Sequence, residues 1–357
     1  MMFYREAGQF NTRYAQDRRV FALRQDRHGL VALLLFAFVV VPWLGNDYWF
    51  SAILIPFLVL SLAGLGLNLL TGYAGQLSLG SAAFMAVGAF ATYNLEVRVA
   101  GLPLLVSIAL GGLAAALVAV LFGLPSLRIK GFYLLVSTLA AQFFVTWALT
   151  RFSWFSNNSA SGVISAPRLD VLGVNLDAPA GRYLLTLSVV VALFWLGKNL
   201  VRSELGRNWM AVRDMDTAAA VIGIALAKKP SCWRSPSAVF FLGVAGALWA
   251  FAYLGTVEPH GFDLNRSFQI LFIIIIGGLG SLLGNFLGAA FIVLFPVLLS
   301  NLVSLLPGGL VDAGQVENLQ KMIFGALIIL FLIKEPEGLA RLWQRFRQRA
   351  RLWPLRY

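Results

Sequence analysis

A catalytic or metal site in this chain would have to be assembled from few parts. There are two histidines, His28 and His260, one cysteine, Cys232, and 16 carboxylates among 357 residues. Neither histidine has a serine or cysteine nucleophile close by in sequence, so no nucleophile and base stand ready together. There is no CxxC pair and no His/Cys cluster at metal-ligand spacing, and a lone cysteine cannot close an internal disulfide. A GxxxxGK[ST] loop, whose backbone N–H groups would cradle phosphates, is absent, so any use of ATP falls to a partner. The expectation is a protein that is not an enzyme, with no cofactor and no metal of its own.

The polar groups that do interrupt the apolar stretches are neutral: Asn68, Gln76, Ser78, Ser81, Ser137, Thr138, Gln142 and Gln269. Such groups suit a path for a neutral or zwitterionic solute, and hydrogen bonding between helices explains each of them equally well. Ion-coupled carriers place ionisable groups inside their spans, and this chain has almost none, which argues against a stand-alone secondary carrier. A path past Gly75, Gln76, Ser78, Gly80, Thr138 and Gln142 is the expectation, with Gly75 and Gly80 leaving the space.

The elements that must position these groups follow from composition. With 59% hydrophobic and 12% charged residues and a mean hydropathy of +0.79, the chain has more apolar surface than one soluble core hides. Lipid is therefore its solvent. Stretches such as Val31 to Val41 and Ile270 to Ile276 are apolar at nearly every position, which excludes the alternating pattern of a membrane β-barrel. The reading is all-α: a polytopic transmembrane helical bundle of about ten spans, near 29–44, 49–70, 79–94, 102–123, 131–149, 183–200, 237–254, 268–283, 285–305 and 319–333. The first span is read as retained, not as a cleaved signal. Alternate assignment of the loops with the N-terminus inside puts 22 of the 28 Lys and Arg residues in residues 1–28, 124–131, 198–234 and 334–357. That bias predicts both termini in the cytoplasm, and it assigns the net charge of +12 to the membrane and not to nucleic acid. The chain thus divides into a cytoplasmic N-terminal segment 1–28, a transmembrane domain 29–340 and a basic cytoplasmic tail 341–357.

Glycines break the apolar pattern at Gly72 to Gly80, at Gly277 to Gly284, and at Gly284 with Gly288. Small residues at that spacing let helices approach closely; the alternative is a broken helix lining a path. Of the soluble stretches the most informative is 202–229, which reads as one short amphipathic helix between two spans. Asp214 and Asp216 stand near its start, an Ala-rich body follows, and Gly223 is its stop. Ala211, Met215, Ala218, Ala219 and Ile222 recur at steps of three or four, a narrow apolar stripe that fits a groove on a partner. Outside segments 151–182 and 306–318 read as a partner-facing lid or as connectors.

Several runs resemble one family. Gly72-Tyr73-Ala74-Gly75-Gln76-Leu77-Ser78-Leu79-Gly80 with Ala82-Ala83-Phe84, Gly123-Leu124-Pro125-Ser126-Leu127-Arg128, Ser137-Thr138-Leu139-Ala140, Gly277-Gly278-Leu279-Gly280-Ser281 and Pro336-Glu337-Gly338-Leu339 stand in the expected order. Together they resemble the LivM-like permease subunits of branched-chain amino acid ABC importers, over residues 49 to 340. The resemblance implies a multi-pass protein of the bacterial inner membrane and a heterodimer with a second, LivH-like permease. It also implies two cytoplasmic ATP-binding subunits, a periplasmic solute-binding protein, and alternating access driven by ATP bound on those partners. It identifies the block from Gly206 and Arg207, through Arg213, Asp214, Ala218 and Ala219, to Gly223 as the region coupling the spans to the ATPases. Relatives of this kind carry urea, short amides or aromatic acids as well as branched-chain amino acids.

One stretch departs from the family pattern. Pro230-Ser231-Cys232-Trp233-Arg234-Ser235-Pro236-Ser237 sets two prolines and an arginine where a span should begin. With common codons, a slip of one base upstream reads Ala-Lys-Leu-Leu-Ala-Phe-Ala-Val-Ser, the apolar start the family leads one to expect. The stretch reads either as a local frame shift or as a divergent loop, and in the first case Cys232 has no functional meaning.

Overall fold

The structure, a computed structural model, describes residues 12, 24–99, 101–126, 132–157, 159, 163–167, 169–171, 174–224, 234–304, 318, 322, 323, 325, 326, 329, 330, 333, 334 and 337–352. Its chain divides into two compact units, Met1–Asn46 with Arg341–Tyr357, and Asp47–Ala340. In the first unit, α1 (Arg24–Leu35) runs on through a π-helical turn, Phe36–Val40, to Val41–Leu44. The greater part of α12 (Gly338–Leu352) belongs to the same unit.

The second unit is a helical bundle. Its elements are α2 (Ile55–Asn68), flanked by π-helical segments Trp49–Leu54 and Leu69–Tyr73, then α3 (Ser81–Arg98), α4 (Leu104–Ser126), α5 (Phe132–Arg151) and α6 (Pro179–Arg202). After α7 (Glu204–Asp214) and α8 (Asp216–Val221) come α9 (Arg234–Leu248), extended by a π-helical Trp249–Leu254, α10 (Leu264–Gly277) and α11 (Leu282–Ser304). Among the described residues strand is confined to two-residue pieces: β1 (Ile164–Ser165) pairs antiparallel with β4 (Thr256–Val257), and β2 (Asp170–Val171) with β3 (Val174–Asn175).

Seven helical stretches among the described residues are long and apolar enough to cross a membrane, and each falls on one of the ten expected spans. The expected spans at 79–94 and 268–283 are also helical, as α3 and α10. However, α3 carries Asn94, Glu96 and Arg98 in its last turns, and α10 has only 14 residues. The tenth, 319–333, lies largely outside the described residues, as do most of the N-terminal segment 1–28 and residues 230–233 of the proline-rich stretch.

The centre of the bundle is α2 and α9. In Trp49–Tyr73 the most apolar window is 89% buried and in Pro236–Leu254 it is 78% buried, against 22% in α5, which faces outward. Helix α9 packs on α2, α3 and α4, and α2 also packs on α6, α10 and α11. Between helices already in lipid, apolar transfer supplies no attraction, so close approach and hydrogen bonds must hold them. The contact surfaces show this. A side chain at Gly246 would run into the Met85 carbonyl, one at Gly88 into the Gly243 carbonyl, and a Cβ at Gly243 would stand 2.6 Å from that of Ala115. Backbones of α3, α4 and α9 therefore meet along a seam of glycine and alanine. The Gly277–Gly284–Gly288 spacing acts likewise between α10 and α11, where added side chains would strike the carbonyls of Gly284, Gly277 and Ile273.

Candidate functional site

Helix α3 begins inside the protein. Ser81, Ala82, Ala83 and Phe84 are all buried, so the N–H groups of its first turn cannot be satisfied by water. Three side chains on two neighbouring helices supply acceptors instead, to that turn and to the residue just before it. Thr138 Oγ1 on α5 accepts from Leu79 N at 3.0 Å, Ser267 Oγ on α10 from Ala82 N at 2.9 Å, and Gln142 Oε1 on α5 from Ala83 N at 2.7 Å. Gln142 also accepts from Ser267 Oγ at 3.2 Å, and its Nε2 donates to the Phe262 carbonyl at 2.9 Å. This one amide joins the starts of α3 and α10 to the middle of α5. The hydroxyl of Ser81, fully buried at the head of α3, makes no hydrogen bond.

Residues 74–80 are the irregular connection that the Gly72–Gly80 interruption predicts. Its start is tied back onto the π-helical end of α2: Gln76 N donates to the Leu70 carbonyl at 3.0 Å, and Thr71 Oγ1 to the Gln76 carbonyl at 3.0 Å. Gly75 takes φ +72°, a conformation that favours glycine. A Cβ on Gly80 would stand 2.7 Å from the Thr138 carbonyl. Gln76, Ser78, Ser137 and Thr138 line a small cleft of about 30 Å³ together with Leu70, Phe84, Ala119 and Phe122. That is space for water and not for an amino acid.

Of the six expected path residues, Gln76, Ser78, Gly80, Thr138 and Gln142 thus gather round the head of α3. Gly75 stands apart, exposed, with Arg213 against it. Thr138 and Gln142 use their polar atoms to cap a helix, the packing role the sequence left open beside the path.

A second node lies at the turn between α10 and α11. Gly278 and Gly280 both take positive φ there, +114° and +73°. Asn68, fully buried at the end of α2, holds the turn with both ends of its amide: Oδ1 accepts from Gly280 N at 2.8 Å, and Nδ2 donates to the Ser281 carbonyl at 3.1 Å and to Asn285 Oδ1 at 3.0 Å. The family-like run Glu337-Gly338 packs on the same turn, close enough that a side chain at Gly278 would strike the Glu337 carbonyl.

The insert between α6 and α9 corrects the expectation of one continuous helix. It is two, α7 and α8, broken at Met215, whose φ of −159° and ψ of 101° are extended. Asp214 and Asp216 flank the break, and such residues favour helix ends over interiors because their side chains compete for backbone N–H groups. The apolar stripe is accordingly split. Trp209 and Ala219 are buried in this chain, whereas Met215, Val221 and Ile222 are 63%, 87% and 72% exposed. Ala218 and Gly223 are exposed too, and Gly223 ends the insert at φ +86°.

At the other end, Ser203 caps α7 by accepting from Gly206 N, and Gly206 fits where a side chain would strike the Val201 and Leu200 carbonyls. Arg207 donates to the Arg202 carbonyl at 2.9 Å.

Arg213 joins the insert to the bundle. Its Nη1 donates to the Gly72 carbonyl at the end of α2, while Nε and Nη2 hold Asp214 Oδ1 at 2.8 and 2.7 Å. The same Nη1 stands 3.6 Å from where a Cβ on Gly280 would be. Residues expected in two separate sites therefore meet: Arg213 of the insert touches Gly72, Gly75 and the glycine turn held by Asn68. Sequence reasoning missed Asn285 and Ser267, and it gave Asn68 no partner. Amides inside long apolar runs were the available signal, since such groups are placed in a span only with partners. It also missed Arg266, whose guanidinium lies 4.2 Å from the Trp249 ring centroid and bonds Gln269. Among the described residues no group of three His, Cys, Asp or Glu stands together as a metal site.

Comparison with known proteins bears on this geometry. The chain is 28% identical over 299 residues to the high-affinity branched-chain amino acid transport system permease protein LivM of Salmonella typhimurium, covering 77% of this chain and 66% of that protein. It is 28% identical over 333 residues to LivM of Escherichia coli, covering 87% of this chain and 74% of that one. The chain thus spans just under two thirds of one relative and about three quarters of the other. No solved structure matches. Residues 49–332, which hold both nodes and the insert, match the family described as the permease component of the branched-chain amino acid transport system, and the chain belongs to that family.

Proposed function

We propose that this chain is the permease subunit of an ATP-binding-cassette importer and forms the translocation path for branched-chain or related hydrophobic amino acids. Its partners in this reading are a second, LivH-like permease, two cytoplasmic ATP-binding subunits and a periplasmic solute-binding protein. The observation that carries the reading is the insert: exposed Met215, Val221 and Ile222 outside the spans, joined by Arg213 to Gly72 in a chain with no phosphate loop. An apolar surface on a short helix pair is suited to a groove on a motor subunit, and the arginine is suited to pass its displacement to the glycine turns. The basic bias of the loops supports an inner-membrane orientation with both termini and the insert in the cytoplasm.

Uptake by cells lacking this gene tests the reading. Loss of ATP-dependent leucine uptake, restored by the gene on a plasmid, is expected. Restored uptake that follows the proton gradient and ignores ATP depletion would identify a secondary carrier instead.

A further inference from the structure

Helix α12 touches the second node only through its first residues, Gly338 to Ala340, and its composition beyond them is unlike the rest of the chain. From Gly338 to Tyr357 there are six arginines and no carboxylate. Gly338, at φ +67°, redirects the chain just past the last long apolar run of the sequence, which ends at Ile333. The helix that follows is strongly two-sided. Leu339, Leu342, Trp343 and Phe346 recur at helical spacing on one side, with Arg341 and Arg345 between them on the other. Leu342, Trp343 and Phe346 are 39%, 49% and 64% exposed, and the two rings lie 6.0 Å apart, an aromatic pair turned outward.

We infer that α12 lies in the membrane surface, with the Leu342–Trp343–Phe346 side in the boundary between headgroups and acyl chains and its arginines on anionic phospholipid. Charge selects this occupant. A segment with six arginines and no carboxylate carries a high net positive charge, and a bilayer with anionic headgroups offers it a continuous negative surface. A protein groove would need a matching row of carboxylates. Tryptophan is also the residue that membrane interfaces favour, with its ring among headgroups. Helices of this kind bind through apolar area and anionic attraction together, so α12 holds to the surface in proportion to the anionic lipid beneath it. The inference requires residence in a membrane and not the importer reading, so the two stand or fall separately.

The test uses the full chain in lipid nanodiscs with Cys232→Ser and a nitroxide at either Leu342→Cys or Gln344→Cys. Collision with oxygen, which concentrates in lipid, is compared with collision with a water-soluble nickel complex. In discs containing phosphatidylglycerol the label at 342 should meet oxygen and the label at 344 should meet nickel. In phosphatidylcholine alone, or with Arg345→Gln, the ratio of immersed to released label at 342 should fall, by about fivefold for the arginine removed. Equal nickel access at 342 and 344 in anionic discs would show a solvated tail and overturn the inference. So would shielding at 342 that appears only with ATP-binding subunits present and ignores lipid charge, which would mark α12 as a protein contact.

Discussion

The Arg213 clasp can be tested by how three substitutions rank. Arg213 makes two kinds of contact. One is the hydrogen bond from Nη1 to the Gly72 carbonyl, part-buried, and the other is the fork from Nε and Nη2 to Asp214, whose side chain is 64% exposed. A hydrogen bond from a charged donor contributes about 1.5–3 kcal/mol, whereas an exposed ion pair contributes about 0–1 kcal/mol. Arg213→Ala removes both and leaves the Gly72 carbonyl without that donor, so the clasped arrangement should lose roughly 2–3 kcal/mol, about 30- to 150-fold in its population. Arg213→Lys keeps the charge but cannot reach the carbonyl and Asp214 with one rigid fork, so it should fall between, at about 1 kcal/mol. Asp214→Asn removes only the exposed pair and should cost under about 1 kcal/mol. The assay is ATP-driven uptake into proteoliposomes containing the whole complex, with ATP hydrolysis measured in parallel. Uptake should fall in the order Asp214→Asn, Arg213→Lys, Arg213→Ala, while basal hydrolysis persists. Uptake in Arg213→Ala within twofold of the parent, or an Asp214→Asn defect as deep as that of Arg213→Ala, would refute the clasp.

Other substitutions follow from the same contacts. Gly80→Leu drives a side chain onto the Thr138 carbonyl and should abolish uptake at equal expression, and Gly75→Leu, strained at φ +72° and set against Arg213, should do the same; normal uptake in both would place the path elsewhere. Gln142→Leu leaves the Ala83 N–H and Phe262 carbonyl unpaired in a buried site, which should destabilise the purified protein by about 2–3 kcal/mol in denaturant titration, against a smaller loss for the exposed Thr150→Val. Ala218→Glu, on an exposed position, should leave the chain folded and weaken retention of ATP-binding subunits on a purification column. Ala219→Glu forces a carboxylate into this chain's own packing and should lower its thermal stability, so equal behaviour of the two would remove the distinction. Alkaline phosphatase fused after Tyr357 should be inactive and a fluorescent reporter there bright, and the reverse would overturn the orientation.

Several features were legible in residue order because they depend on local composition. The apolar runs mark helices whether or not their neighbours are known, since a backbone in lipid must satisfy its hydrogen bonds within the segment. Nine of the ten expected spans coincide with helices for that reason. The Gly72–Gly80 interruption and the stop at Gly223 were visible too, because a positive φ or a lost helical pattern is written in glycine itself. The break at Met215 was not foreseen. Steps of three and four continue across it, and the extended backbone at Met215 is what divides the stripe between two helices.

What the sequence alone determined was the solvent, the helical class, the approximate spans and the family-like runs. Which neutral polar group serves which neighbour was decided by tertiary structure. Gln142 and Ser267 stand 125 positions apart, and Asn68 and Asn285 are separated by 217, yet each pair shares a hydrogen bond. Hydropathy is a property of a window of sequence, whereas a buried donor takes whichever acceptor packing brings within about 3 Å. The same separation explains why the expected path and the expected coupling region looked independent in sequence. They meet because Gly75 leaves room for the Arg213 side chain, whose Nη1 reaches the Gly72 carbonyl beside the Gly280 turn.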